Sequence, residues 1–168
     1  MRMLFLIPLT LLAGCTANAG GDSAAAPAGK PVHMEVRIEN AAGSPAKNFT
    51  HDDMARFVFV LRNDSATPLR LGYTFPPHRI TITPAGGGEP VWQAFHGRMF
   101  PQVMRHQELP AGETARFSVE WDFHHAGMPG KAVPPGSYLV QPAFIAFLQP
   151  GNHRLDPGIE PVTITLAE

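Results

Sequence analysis

From Thr114 to Trp121 apolar and polar residues alternate without a slip. Ala115, Phe117, Val119 and Trp121 face one way; Thr114, Arg116, Ser118 and Glu120 face the other. Period two marks a half-buried β-strand. A turn, Leu109-Pro110-Ala111-Gly112-Glu113, leads into it, and a Gly/Pro-rich loop follows it. Pro135-Gly136-Ser137-Tyr138 then opens a second strand. The stretch from Glu108 to Leu148 is therefore the centre of the predicted domain.

The same pattern recurs on either side. Val32, Met34, Val36 and Ile38 alternate with polar residues. Ala55 to Leu61 is apolar on both faces, which places it centrally in a sheet. Leu69, Leu71, Tyr73 and Phe75 alternate, and Arg79 to Thr83, Pro90 to Phe95 and Pro161 to Leu166 are short strands. Asn40 to Asp53, Asn63 to Pro68, Pro84 to Gly88 and Gly151 to Gly158 carry turn chemistry. His96 to Gln107 has no period and reads as irregular. Pro142 inside a strand pattern predicts a break, with Ala143 to Leu148 resuming the strand. No segment has a sustained helical period. About eight short strands between turns predict an all-β, immunoglobulin-like antiparallel β-sandwich.

Composition supports this without adding a partner. The 18 Pro and 16 Gly are spread between apolar runs, as in a turn-rich β domain. A net charge of −1 provides no basic field for nucleic acid. The single Cys, Cys15, leaves no intramolecular disulfide, so an apolar core must hold the domain.

The N-terminus reads as an address. Met3 to Ala13 is apolar and much shorter than the ~20 residues that span a bilayer, so residues 1–14 are expected to be a signal peptide. Leu11-Leu12-Ala13-Gly14-Cys15 resembles the bacterial lipobox. That resemblance implies lipidation of Cys15 and a protein tethered to the membrane, on the periplasmic side of the outer membrane in a Gram-negative host. Residues 15–30 contain no large apolar residue and are expected to form a flexible tether before a domain spanning 31–168.

Within that domain several short motifs occur in a fixed order. They are Leu61-Arg62-Asn63, an apolar strand after Pro68, Val91-Trp92, Phe100-Pro101-Gln102, Leu109-Pro110-Ala111-Gly112-Glu113 with Trp121 beyond it, and Pro135-Gly136-Ser137-Tyr138-Leu139-Val140. Their order resembles the intracellular proteinase inhibitor (BsuPI-type) family over roughly Ala55 to Phe147. Phe75-Pro76-Pro77-His78-Arg79-Ile80 stands where that family usually has a Ser-Gly-Gln-like turn. The resemblance implies an immunoglobulin-like sandwich and inhibition of a serine protease. On physical grounds Trp92 and Trp121 are core residues, and Tyr138 acts as a tyrosine corner bonded to nearby backbone.

Candidate chemistry is sparse. No Gly-x-Ser-x-Gly element is present, and Ser118 lies on the strand face opposite Trp121, so the chain is read as a binding protein without cofactor rather than an enzyme. His96, Met99, Met104 and His106 form a weak soft-metal pattern that would suit copper. Adjacent His124 and His125 point apart on an extended chain and do not chelate together. The loop Asp122 to Pro135 has its ends held by two core strands, so its His124, His125, Met128, Lys131 and Val133 are the candidate partner-contacting residues. Lys131 would suit an acidic specificity pocket. The alternative is a structural or assembly lipoprotein, with the apolar run Phe144 to Leu148 as an edge interface.

Overall fold

The computed structural model describes residues 31–168, apart from Pro129, Asp156 and Pro157. Cys15, the signal segment and the tether lie outside the described residues. Twelve strands follow in order: β1 (Val32–Glu39), β2 (Asn48–Phe49), β3 (Ala55–Asn63), β4 (Leu69–Thr74), β5 (His78–Pro84), β6 (Trp92–Gln93), β7 (Met104–Leu109), β8 (Thr114–Trp121), β9 (Gly136–Phe144), β10 (Phe147–Gln149), β11 (His153–Arg154) and β12 (Val162–Leu166). They form sheets β1-β3-β8, β11-β10-β4-β7 and β2-β12-β9-β5-β6. All pairings are antiparallel except β12 with β2. The chain is an all-β, sandwich-like fold.

β3 is central, as its two-sided apolarity predicts. Val36 and Phe117 flank Phe59 in register. Its inward rings cross to the five-stranded sheet: Phe59 meets Phe144 at 6.1 Å, and Phe57 meets Trp92 at 6.3 Å. β8 alternates as expected, and Trp121 is buried against Phe123 at 4.6 Å and Tyr138 at 6.1 Å. Truncating an indole buried this way costs about 3–5 kcal/mol. The four-stranded sheet joins this core through Tyr73, edge-on to Phe117 at 5.9 Å.

Asn63 explains two of the ordered motifs at once. It is buried, and its Nδ2 donates to Thr67 O (2.8 Å) and Leu109 O (2.9 Å). Its Oδ1 accepts from Ser65 N (2.9 Å) and Ser65 Oγ (2.7 Å). Its backbone bonds Glu113 O and Gly112 N. One side chain thus ties the β3–β4 turn to the β7–β8 hairpin, where Gly112 takes φ +75°, a conformation that disfavours any Cβ.

Four expectations are corrected. β9 runs straight through Pro142 to Phe144, and the break falls at Ile145–Ala146. Ile145 N bonds Pro77 O, so by alternation Ile80 and Pro142 form a non-hydrogen-bonded pair and the proline nitrogen faces away from β5. On that side β12 ends opposite Val140, so no ladder bond is lost. Second, Phe144 to Leu148 is not an edge: Phe144 and Ala146 are buried, and β10 lies between β11 and β4. Third, Met104–Leu109 is a strand, not irregular. Only Leu109 is buried there, so an edge strand over solvent leaves no alternation to read. Fourth, Trp92 is half-buried rather than interior.

Candidate functional site

Two loops meet at one rim of the sandwich, and short β6 holds them both. β6 pairs with β5 through Ile82↔Trp92 and Thr81↔Gln93. Ala94 N bonds Ile80 O at 2.9 Å, which fixes the start of the first loop, residues 94–103. Ala126 N bonds Val91 O at 3.2 Å, which fixes the second, residues 122–135. A Cβ built on Gly127 would lie 3.4 Å from His96 Cδ2, so the loops are in near contact there.

The second loop is folded on itself. His125 N bonds Lys131 O at 2.9 Å, Met128 N bonds His125 O at 3.2 Å, and Lys131 N bonds Met128 O at 3.1 Å. Trp121 Nε1 donates to His124 O at 2.9 Å, and the His124 ring lies 2.8 Å from Asp122 O through Nδ1. Phe123 takes φ +59°, rare for a bulky residue, and this turns its ring into the core against Phe49 at 5.3 Å. Met128 and Lys131 are exposed, and His124 and His125 are half-buried. Val133 does not join them. It is 1% exposed, its N–H bonds Phe123 O and its carbonyl meets His51 Nε2 at 2.7 Å, so the expectation that it faces a partner is corrected.

The first loop is built differently. Arg98 N bonds Phe95 O at 3.0 Å and His96 N bonds Gln93 O at 3.2 Å, and beyond that turn residues 98–103 form no further turn or bend. Phe95 takes φ +65°, which for an L-residue costs roughly 1–2 kcal/mol. The strain is offset by packing: its ring meets His78 at 5.3 Å and Phe100 at 5.6 Å, both edge-on. Phe100 also meets Phe75 at 5.7 Å, and the Arg105 guanidinium sits 4.9 Å over Phe75. Phe100 is therefore pinned inward while Met99 is 98% and Val103 62% exposed. Among the described residues, Met99 to Val103 make no backbone–backbone hydrogen bond.

A groove of about 670 Å³ lies along this loop, lined by Arg79, Arg98, His96 and Gln93 among polar groups and by Phe75 and Phe95 among apolar ones. It has no carboxylate in its lining, and among the described residues neither arginine is in an ion pair. Beneath it His78 is buried among Phe59, Phe95 and Phe117. Its Nε2–H donates to Ser118 O at 3.2 Å, and Nδ1 has no partner among the described residues. Burial pushes the imidazole below its ordinary pKa, and the bond to Ser118 O only partly opposes that. The Phe75–Ile80 stretch, where the ordered motifs depart from the expected turn, thus supplies a core residue and one wall of the groove.

The four residues of the soft-metal pattern do not share one wall. His96 and Met99 line this groove, whereas Met104 and His106 sit on β7 opposite Thr74 and Gly72. No group of three or more His, Cys, Asp or Glu positioned for a metal occurs among the described residues. Ser118 is exposed, as its strand face predicts. Tyr138 donates its hydroxyl to Pro134 O, which closes the second loop as a tyrosine corner.

Residues 45–146 match the family model described as BsuPI, intracellular proteinase inhibitor. The chain belongs to that family. The match begins before β2 and ends at Ala146, so both rim loops of this BsuPI domain fall inside it. No curated protein matches the chain significantly. Solved structures share only a loose likeness. An alkylpurine DNA glycosylase, AlkC, of Pseudomonas fluorescens is 15% identical with a TM-score of 0.40, covering 83% of this chain and 31% of its own. A β-glucosidase of Erythrobacter marinus is 15% identical with a TM-score of 0.41, covering 81% and 16%. The CARDB domain of a Pyrococcus furiosus protein, in complex with di-metal ions, is 11% identical with a TM-score of 0.36, covering 81% and 87%. The chain thus spans less than a third of the glycosylase and of the β-glucosidase, and none of these likenesses bears on activity.

In the sequence the first loop shows only as His96 and Met99 of the soft-metal pattern and as the motif Phe100-Pro101-Gln102, and its run Met99-Phe100-Pro101-Gln102-Val103 has apolar side chains but no period. Such a run has no buried face of its own and must be held by something else, here the Phe75–Phe100–Phe95 cluster.

Proposed function

We propose that this protein is a lipid-anchored, non-catalytic inhibitor of a serine protease, held in the cell envelope by Cys15 and binding through one rim of the sandwich. The observation that carries the reading is the family match over residues 45–146, which takes in both loops. The rim geometry supports it, since a cleft-blocking protein needs a segment already ordered when it docks, and ordering then costs little at binding. The anchor rests on Leu11-Leu12-Ala13-Gly14-Cys15, with residues 16–30 as the spacer that lets residues 31–168 reach a partner off the bilayer. In a Gram-negative host, Thr16 after the lipidated Cys favours the outer membrane.

Two measurements test it. Purified full-length protein in detergent, titrated against a panel of serine proteases, is expected to inhibit at least one stoichiometrically. No inhibition at micromolar concentration removes the inhibitor assignment. Metabolic labelling with an alkyne fatty acid is expected to mark the wild type and not Cys15→Ala, and equal labelling of both would remove the anchor.

A further inference from the structure

We infer that the segment Arg98–Met104, rather than the 122–135 loop, enters the protease cleft, with Met99 filling an apolar primary specificity pocket. The inference rests on the protease-inhibitor reading and deepens it. A protease holds its substrate as an extended strand whose backbone groups pair with the enzyme and whose side chain fills a pocket. The segment must therefore be extended, have free backbone groups and present one side chain outward.

Within Arg98–Met104, the run Met99 to Val103 meets these requirements, and the chain there makes no turn or bend. Met99 to Val103 make no backbone–backbone bond among the described residues; Phe100 O accepts a long bond from Gln102 Nε2 at 3.4 Å and Pro101 has no N–H, and the other backbone groups of the run are open to a partner. Met99 is 98% exposed, yet its neighbour Phe100 is wedged between Phe75 and Phe95 at 5.7 and 5.6 Å. Pro101 fixes one further backbone angle. The loop starts at Phe95, in a left-handed conformation that a bulky residue adopts only when its surroundings enforce it. Strain of this kind, held by an aromatic anchor, is a preorganising device. The loop runs on into β7, whose outer edge is unpaired and carries Met104, 46% exposed.

The 122–135 loop fails the same requirements. Among its described residues the N–H groups of His125, Ala126, Met128, Lys131 and Val133 are already bonded to backbone carbonyls, and Val133 is buried. The pocket chemistry then follows from Met99. Its side chain is unbranched, flexible and apolar, which suits a deep apolar pocket and not the acidic one that Lys131 would have entered. Arg98 at the start of the segment and Arg79 beside it have no ion pair among the described residues, so the enzyme rim that fits bears carboxylates there.

The test uses the full chain in detergent against three serine proteases, with apolar-pocket, acidic-pocket and small-pocket specificity. Wild type is expected to inhibit the apolar-pocket enzyme. Met99→Asp is expected to weaken that inhibition by at least about 30-fold, the loss typical of a central anchor. Met99→Lys is expected to shift preference toward the acidic-pocket enzyme, a change that loosened structure would not produce. Met128→Asp, on the other loop and 52% exposed, is expected to stay within about twofold of wild type. All variants should keep the wild-type thermal midpoint, because both side chains are in solvent. If wild type inhibits but Met99→Asp stays within about threefold, the loop assignment is wrong and the inhibitor reading survives. Inhibition by wild type of none of the three enzymes, nor of any other in a wider panel, would instead overturn the inhibitor reading itself.

Discussion

Replacing Asn63 with alanine removes four side-chain hydrogen bonds at one point: donation to Thr67 O and Leu109 O, and acceptance from Ser65 N and Ser65 Oγ. Their losses are unequal. Thr67 is exposed and Ser65 half-buried, so water replaces most of what they lose, and each bond counts for about 0.5–1 kcal/mol. Leu109 is buried, so its carbonyl stays dry and unpaired, at about 1–3 kcal/mol. Together Asn63→Ala should lose about 2.5–6 kcal/mol, or roughly 8–18 °C in thermal midpoint for a domain of this size. Urea unfolding followed by tryptophan fluorescence reads this through Trp121. The midpoint should fall with no change in slope, because the backbone bonds of Asn63 to Glu113 and Gly112 remain and the folded state is unchanged. Asn63→Asp should lose at least as much, since an acceptor oxygen would then face two carbonyls. A loss under about 1 kcal/mol for both variants would refute the idea that this side chain joins the two turns.

Other outcomes follow from the same geometry. The unfolded chain protonates His78 near its ordinary pKa, about 6.5, before the folded chain does, so wild-type stability is full above that value and falls as pH drops through the lowered folded value. His78→Leu should flatten the wild-type slope between about pH 7 and 5 in denaturant titrations, and an unchanged slope would show that His78 is not the group responsible. Tyr138→Phe should lose about 1–1.5 kcal/mol through the bond to Pro134 O, and a neutral result would show that the tyrosine corner holds nothing. Burial raises the Tyr138 pKa, so wild type should also lose stability as pH rises above about 10, and the variant less. Gly112→Ala meets no atom within 4 Å, so any loss in its unfolding free energy, expected at about 1 kcal/mol, is conformational.

The sandwich was legible in the sequence where strands have one wet face and one dry one. β1, β4, β8 and β12 all show it, and two-sided burial of Phe57 to Leu61 marked β3 as central. What could not be read was whatever depends on a neighbour. β7 has one buried side chain, so nothing in its composition separates an edge strand from a loop. Pro142 is tolerated because β12 stops at Val140, a fact about another strand. Trp92 is half-buried because β6 is only two residues long and ends its sheet. At the rim, held ends and prolines drew attention to 122–135, but local spacing does not reveal that its backbone bonds to itself or that Val133 turns inward. The exposure of Met99 depends on Phe75 and Phe95, each distant from Phe100 in role though not in space, and periodicity carries no record of such a three-ring clamp.

Amide hydrogen exchange of the full-length protein, alone and with a serine protease that it inhibits, reads the contact directly. Protection on complex formation is expected at Met99 to Met104 and the outer edge of β7, with 122–135 nearly unchanged. Protection confined to 122–135, or to the outer face of β1-β3-β8, would contradict it.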